Sequence, residues 1–172
     1  MLDVHLLVTH RLPAGWLEQA IESIFEARRA APFPIAVQLV GESVGDFWGA
    51  RWSGYDAGTS EYMTYLDADD WLEPDAFSCL LEPMKSGADM IVVQGRYHNL
   101  STGKVSIAPR GMRVVRRAYS EGFDRSDTRG CCPACVTQRH AKTPVTIMQP
   151  NANFRVGYDS LALQWRREHG MG

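Results

Sequence analysis

Three acidic residues, Asp67, Asp69 and Asp70, follow a short apolar stretch in the run Asp67-Ala68-Asp69-Asp70. In an extended backbone residues i and i+2 point to one side, so Asp67 and Asp69 are expected to face a common ligand. Carboxylates are hard oxygen donors, suited to Mn²⁺ or Mg²⁺, which keep several waters and share a few carboxylates with substrate phosphates. The blander source of an isolated Asp-x-Asp is a solvated turn, with Asp70 capping the helix that follows. Both readings stand on these residues alone.

Other groups could do chemistry, and each has a plainer explanation. Cys131, Cys132 and Cys135, followed by His140, supply the ligand types that zinc takes. A structural zinc site usually sets two separated pairs, so small apolar thiols are the favoured reading. Arg110, Arg113, Arg116 and Arg117 could cradle an anion, but their alternation with Met112, Val114 and Val115 fits a half-exposed strand better. Trp48, Trp52 and Trp71 could stack on a sugar or base, yet aromatic residues flanking helices usually belong to the core. His10 reads as a scaffold residue, and Arg166, Arg167 and His169 as complements to a helix dipole.

The elements that must position the acids alternate along the chain. Residues 4–9 form a short apolar run closed by Pro13 and Gly15, which predicts a buried strand and a turn. Residues 16–29 carry Trp16, Leu17, Ala20, Ile21, Ile24 and Phe25 at helical spacing, and Pro32 and Pro34 stop that helix. Residues 35–40 predict a second strand, giving a strand, helix, strand unit and hence parallel pairing. A short helix over 49–58 and a third strand over 62–66 lead into the acidic run, at the carboxyl edge of a parallel sheet, where ligands bind. Beyond it the spacing predicts a helix over 74–85 with Pro74 in its first turn, a strand over 89–94 and a hairpin within 96–113. Residues 119–137 read as an active-site loop or connection, and 159–169 as a terminal helix.

The 172 residues are 45% hydrophobic and 22% charged, enough for one core, and predict a single domain over 1–172. A net charge of −2 gives no positive field for holding nucleic acid or an anionic membrane. There is no apolar run of roughly 18 residues, hence no transmembrane segment, and the start Met1-Leu2-Asp3-Val4-His5 lacks the form of a secretory signal. A cytoplasmic protein with reduced thiols is expected.

Residues 49–74 resemble the central signature of the family 2 glycosyltransferases. The residues that carry the likeness are Gly49-Ala50-Arg51, Glu61-Tyr62, Leu66-Asp67-Ala68-Asp69-Asp70 and Trp71-Leu72-Glu73-Pro74. The resemblance extends over residues 3 to about 95 and implies a GT-A-like α/β fold, a mainly parallel twisted sheet with helices on both faces. It divides the chain into a donor-binding part, about 1–96, and an acceptor and base part, about 97–172. It further implies a nucleotide-diphospho-sugar donor and Mn²⁺ or Mg²⁺ held by Asp69, with Asp67 on the ribose or the metal's water shell and Asp70 nearer the sugar. Thr9 and Glu42, at the ends of the first two strands, would contact the nucleotide, and Arg51 would line its base or phosphate side. The sequence departs from the family where Thr9-His10-Arg11 and Gly41-Glu42-Ser43 replace the usual motifs, leaving the nucleotide base open.

An inverting transfer needs a carboxylate to take the acceptor's proton. The resemblance puts that base late in the chain, where Gly157-Tyr158-Asp159-Ser160-Leu161 offers Asp159, a residue that also suits the N-cap of the last helix. The acceptor, whether glycan, lipid, protein or modified nucleic-acid base, is not named by the sequence. Two other functions stay open: a non-catalytic nucleotide-sugar-binding module of the same fold, and a nucleotidyltransferase, although Thr9 to Gly15 lacks the Gly-rich basic loop usual in the latter.

Overall fold

The computed structural model describes residues 1–8, 12–41, 47–98, 102–108, 111–121 and 146–156. They form eight strands and four α-helices: β1 (Leu2–Val8), α1 (Trp16–Ala30), β2 (Ile35–Gly41), α2 (Phe47–Ala57), β3 (Tyr62–Asp67), β4 (Trp71–Leu72), α3 (Leu81–Lys85), β5 (Met90–His98), β6 (Val105–Ala108), β7 (Arg113–Arg116), α4 (Arg117–Ser120) and β8 (Thr146–Val156). One sheet runs β2-β1-β3-β7-β5-β8-β4, with β6 also paired to β5. β1 is parallel to both β2 and β3, and β5 is parallel to β8. β7 is antiparallel to both β3 and β5, so β5 runs in the same direction as β3.

β1 is covered on both faces, its buried apolar residues interrupted by Asp3 and His5, which are buried too. Leu2, Val4 and Leu6 join the main core with Ala20, Ile24 and Ala27 of α1 and with Phe77, Leu80, Ile91 and Val114. The small residues at 20 and 27 let α1 approach the sheet closely, and Ser23 Oγ accepts the Leu72 N–H at 3.0 Å, tying α1 to β4. On the opposite face α2 lies over the sheet, with Ala50 against Leu7 and Val40, and Tyr55 against Met63 and Val115. The expected α/β architecture with helices on both faces is therefore present. Among the described residues no helix is long and apolar enough to cross a membrane.

Two local expectations change. The predicted helix over 74–85 is broken into turns, a 3₁₀ segment (Ser78–Leu80) and the short α3. Its backbone bonds run i to i+3, from Ala76 N to Glu73 O (3.0 Å), Ser78 N to Asp75 O (2.9 Å) and Leu80 N to Phe77 O (3.1 Å). Pro83 is the cause: it has no N–H for the carbonyl of Cys79, and its ring would strike that carbonyl in a continuous α-helix. The second change is β8, an expected strand nowhere in the sequence pattern. Its pairing with β5 shifts register between Val93 and Gly95, where Pro150-Asn151-Ala152-Asn153 interrupts the ladder within the strand. The hairpin is found as β5 and β6, paired from Gly95↔Ala108 to His98↔Val105. β7 is an interior strand, with Val114 and Val115 buried on opposite faces.

At the amino end of the sheet a buried carboxylate gathers four segments. Asp3, 1% exposed, accepts bonds from the Ser60 N–H (2.8 Å), the Ser60 hydroxyl (2.5 Å) and Arg117 Nη2 (3.0 Å). Arg117 also donates to the carbonyls of Ser60 (3.0 Å) and Tyr55, and its guanidinium lies 4.6 Å from the Tyr55 ring centroid. Burial alone would raise the Asp3 pKa, but the Ser60 bonds, with the charges of His5 and Arg117, bring it below the usual carboxylate value. His5, fully buried beside Tyr65, has a pKa lowered to about 4, chiefly by burial. Gln38, its partner across β1 and β2, lies near enough to favour a proton on the ring but outside hydrogen-bonding geometry.

Gly58 makes this convergence possible, because a Cβ there would collide with Arg117 Nη2 and the Asp3 carboxylate. Gly58→Ala is expected to destabilise the fold by about 1–3 kcal/mol, read as a lowered midpoint in urea unfolding. For His5 the unfolded state binds the proton first as pH falls from 6.5, the ordinary imidazole value, to the folded value near 4. The His5 contribution should therefore lower stability across that window by up to about 3 kcal/mol and level off below it, where protonation of Asp3 adds a further loss. His5→Phe should flatten the decline, whatever it does to absolute stability; an unchanged slope would assign the acid sensitivity to other groups.

Candidate functional site

Three parallel strands end together. Leu7 of β1 pairs with Val40 of β2 and with Asp67 of β3, and Val8 pairs with Gly41. Along β3 the side chains alternate: Tyr62 and Leu66 enter the core beneath α1, while Met63, Tyr65 and Asp67 belong to the α2 side. After Asp67 the strand stops in a tight turn closed by Asp70 N to Asp67 O at 2.9 Å, and Ala68 N donates to Leu7 O at 3.0 Å, pinning the turn to the end of β1.

That turn brings together carboxylate oxygens of Asp67, Asp69 and Asp70, all within 4.8 Å of one another. Asp69 is only 7% exposed. The convergence differs in origin from the sequence expectation: Asp69 lies past the strand, so the turn, and not i/i+2 alternation, gathers the acids. The donor set consists of hard oxygen ligands and fits Mn²⁺ or Mg²⁺ in the way such ions are usually held, through a few carboxylates with positions left for water and phosphate.

Arg51 stands against this cluster. Its Nη2 donates to Asp67 Oδ1 at 2.7 Å, with the two side chains 10% and 35% exposed. The guanidinium lies 5.7 Å from the Trp48 ring centroid and 5.8 Å from that of Tyr65. The Tyr65 hydroxyl donates to the Arg51 carbonyl at 2.7 Å, fixing this turn of α2 on β3. One arginine is thereby held by two aromatic side chains beside three acids.

Of the residues singled out in the sequence, the structure brings Arg51, Asp67, Asp69 and Asp70 into one site. Thr9, Glu42 and Asp159 lie outside the described residues, as do His10, Arg110, the cluster Cys131, Cys132, Cys135 and His140, and the expected helix over 159–169. Thr9 and Glu42 directly follow the two strands that end beside Asp67. Arg116 pairs with Glu61 at 3.0 Å and Arg117 with Asp3, so these two arginines serve the fold. Trp48 is partly exposed beside Arg51, whereas Trp52 packs with Tyr55. The sequence reading missed Tyr65 as the support of Arg51; the available signal was its position two residues before Asp67, on the same side of β3.

A family model described as Glycosyl transferase family 2 matches residues 27–142, more than half of the chain. No curated protein sequence matches the chain. Among solved structures, S. aureus TarS superposes with a TM-score of 0.62 at 8% identity, over 91% of this chain and 36% of that one. The structure of S. aureus TarS 1-349 gives a TM-score of 0.52 at 9% identity, over 86% of this chain and 60% of the other. The 4-diphosphocytidyl-2C-methyl-D-erythritol synthase from Anaerococcus prevotii DSM 20548 gives 0.59 at 7% identity, over 91% and 89%. At these identities the structural likeness speaks to the fold, and the chain spans less than two thirds of either TarS structure.

Tyr65→Phe removes the hydroxyl that tethers α2 and keeps the ring beside Arg51. It should cost about 1 kcal/mol of stability, measured by urea unfolding.

Proposed function

The chain belongs to glycosyl transferase family 2, and from this we propose that it transfers a sugar from a nucleotide-diphospho-sugar to an acceptor hydroxyl with the help of a divalent cation. The observation that carries the reading is the convergence of Asp67, Asp69 and Asp70 within 4.8 Å, beside Arg51, at the common end of three parallel strands. In this reading Asp69 is the principal ligand of Mn²⁺ or Mg²⁺, and Asp67 serves the ribose or the ion's water shell. The cation, when bound, supplies positive charge to offset that of the departing diphosphate.

The chain's own residues do the rest. Arg51 lines the donor site with a fork of N–H donors matched to phosphate oxygens. Thr9 and Glu42, following β1 and β2, are assigned to the nucleotide, and Asp70 to the sugar side. Asp159 is assigned as the base that takes the acceptor's proton in an inverting transfer, an assignment that rests on the sequence pattern. The acceptor is a hydroxyl on a glycan, lipid, protein or modified nucleic-acid base.

A second reading, nucleotidyl transfer, draws on the likeness to the diphosphocytidyl-methylerythritol synthase, of which this chain covers 89%. It differs in consuming a nucleoside triphosphate and releasing pyrophosphate.

Calorimetry with a panel of nucleoside diphosphates, with and without Mn²⁺, tests the donor site. One diphosphate should bind in a Mn²⁺-dependent manner, and Asp69→Ala should weaken that binding by at least about ten-fold, the loss expected for a ligand that meets the ion directly. Absence of binding to every nucleotide would reject the enzyme reading. Pyrophosphate release from a triphosphate would favour nucleotidyl transfer, and binding without any transfer or hydrolysis would leave a nucleotide-sugar-binding module.

A further inference from the structure

The two Arg–Asp pairs that border α2 are built differently. Arg117 and Asp3 are both well buried, with side-chain exposures of 13% and 1%, and Ser60 adds two bonds to the carboxylate. In the pair at the acidic turn the arginine is the fixed partner: Arg51 is 10% exposed, lies beside two aromatic rings and sits on a helical turn tethered by Tyr65. Its carboxylate partner is 35% exposed and lies within 4.8 Å of two further carboxylates. An exposed carboxylate can be rehydrated or change partners at small cost, while a fixed guanidinium keeps its charge in place.

We propose that Arg51 competes with the divalent cation for Asp67, so that the site binds the cation weakly alone and strongly only when a diphosphate takes up the guanidinium's charge. The proposal rests on the donor-site reading above and adds an order to it. Three carboxylates drawn within 4.8 Å would by themselves attract a free divalent ion. A guanidinium in contact with one of them occupies an oxygen lone pair and repels a doubly charged ion in the same small volume. In a partly solvated setting that repulsion, after screening, corresponds to about ten-fold in affinity. A diphosphate offers Arg51 pairs of charged oxygens that its fork can bind, and leaves Asp67 to the ribose or the ion's water shell. Metal and diphosphate then load together, and the empty site does not hold an ion without its donor.

The test is titration of Mn²⁺ alone, followed by calorimetry and by the electron paramagnetic resonance of the free ion, on the full chain. Arg51→Met and Arg51→Gln remove the charge, Arg51→Lys keeps it, and thermal melts establish that each variant is folded. The neutral variants should bind Mn²⁺ alone about ten-fold more tightly than the wild type, with Arg51→Lys close to the wild type. With saturating inorganic pyrophosphate the advantage should vanish or reverse. If wild type binds Mn²⁺ with pyrophosphate but the folded neutral variants show no gain for Mn²⁺ alone, the competition is overturned and the donor site stands. If no form binds Mn²⁺ with or without pyrophosphate, the donor-site reading falls and the competition falls with it.

Discussion

A carboxylate taken out of water at the start of β1 constrains much of this fold. Asp3 can remain buried only if hydrogen bonds and a positive charge replace its hydration, and the partners come from distant segments: Ser60 from the turn before β3, and Arg117 from the junction of β7 and α4. Satisfying this one group draws those segments onto β1. Because Arg117 also bonds the Tyr55 carbonyl, the end of α2 is drawn in as well. Gly54 and Gly58 keep α2 and its exit free of Cβ atoms where the helix passes His5 and the Asp3–Arg117 pair.

The acidic turn depends on that anchoring although it lies at the other edge of the sheet. With its last turn fixed to Asp3, α2 runs back over β1 and β3 and presents Arg51 to Asp67. The pairing of Leu7 with Asp67 aligns the strand ends, and the Ala68 bond to Leu7 closes the turn against β1. The site is thus the meeting of one helix and two parallel strands, each aligned by contacts away from the acids. The two Arg–Asp pairs differ in burial: Arg117–Asp3 is sealed from solvent and holds structure, while in Arg51–Asp67 the carboxylate stays partly open to water.

Much of this was legible in the residues because β1, α1, β2 and β3 have strong local patterns. Leu2, Val4 and Leu6 alternate with Asp3, His5 and Leu7, and all six are buried, so an unbroken strand bounded by turn residues sufficed to place β1. Ala20 and Ile24 are picked out on the core face of α1 by spacing alone, although Phe25, taken with them, is exposed. The failures occur where a nonlocal or stereochemical effect outweighs the pattern. Pro83 breaks an otherwise plausible helix because a single missing N–H and one ring clash override the apolar spacing around it. β8 carries Pro150 and two asparagines in its interior, and no element is expected there; its strand geometry comes from pairing with β5, to which the local sequence is blind.

The site shows the same division. Asp67, Asp69 and Asp70 could be picked out from their types and spacing, yet the reason they converge was misread, since a strand places alternate residues on one face whereas a turn can gather consecutive ones. What spacing could not supply was the charge balance. Arg51 and Asp67 are sixteen positions apart, and nothing local says that one guanidinium will be clasped by Trp48 and Tyr65 against this carboxylate. That contact changes the chemistry of the cluster: three neighbouring acids alone would form an indiscriminate cation trap, while the same acids facing a fixed arginine favour a ligand that brings both a cation and compensating negative charge. A metal-chelated diphosphate has that composition, so in the proposed donor site the arginine, more than the acids themselves, would give the turn its selectivity.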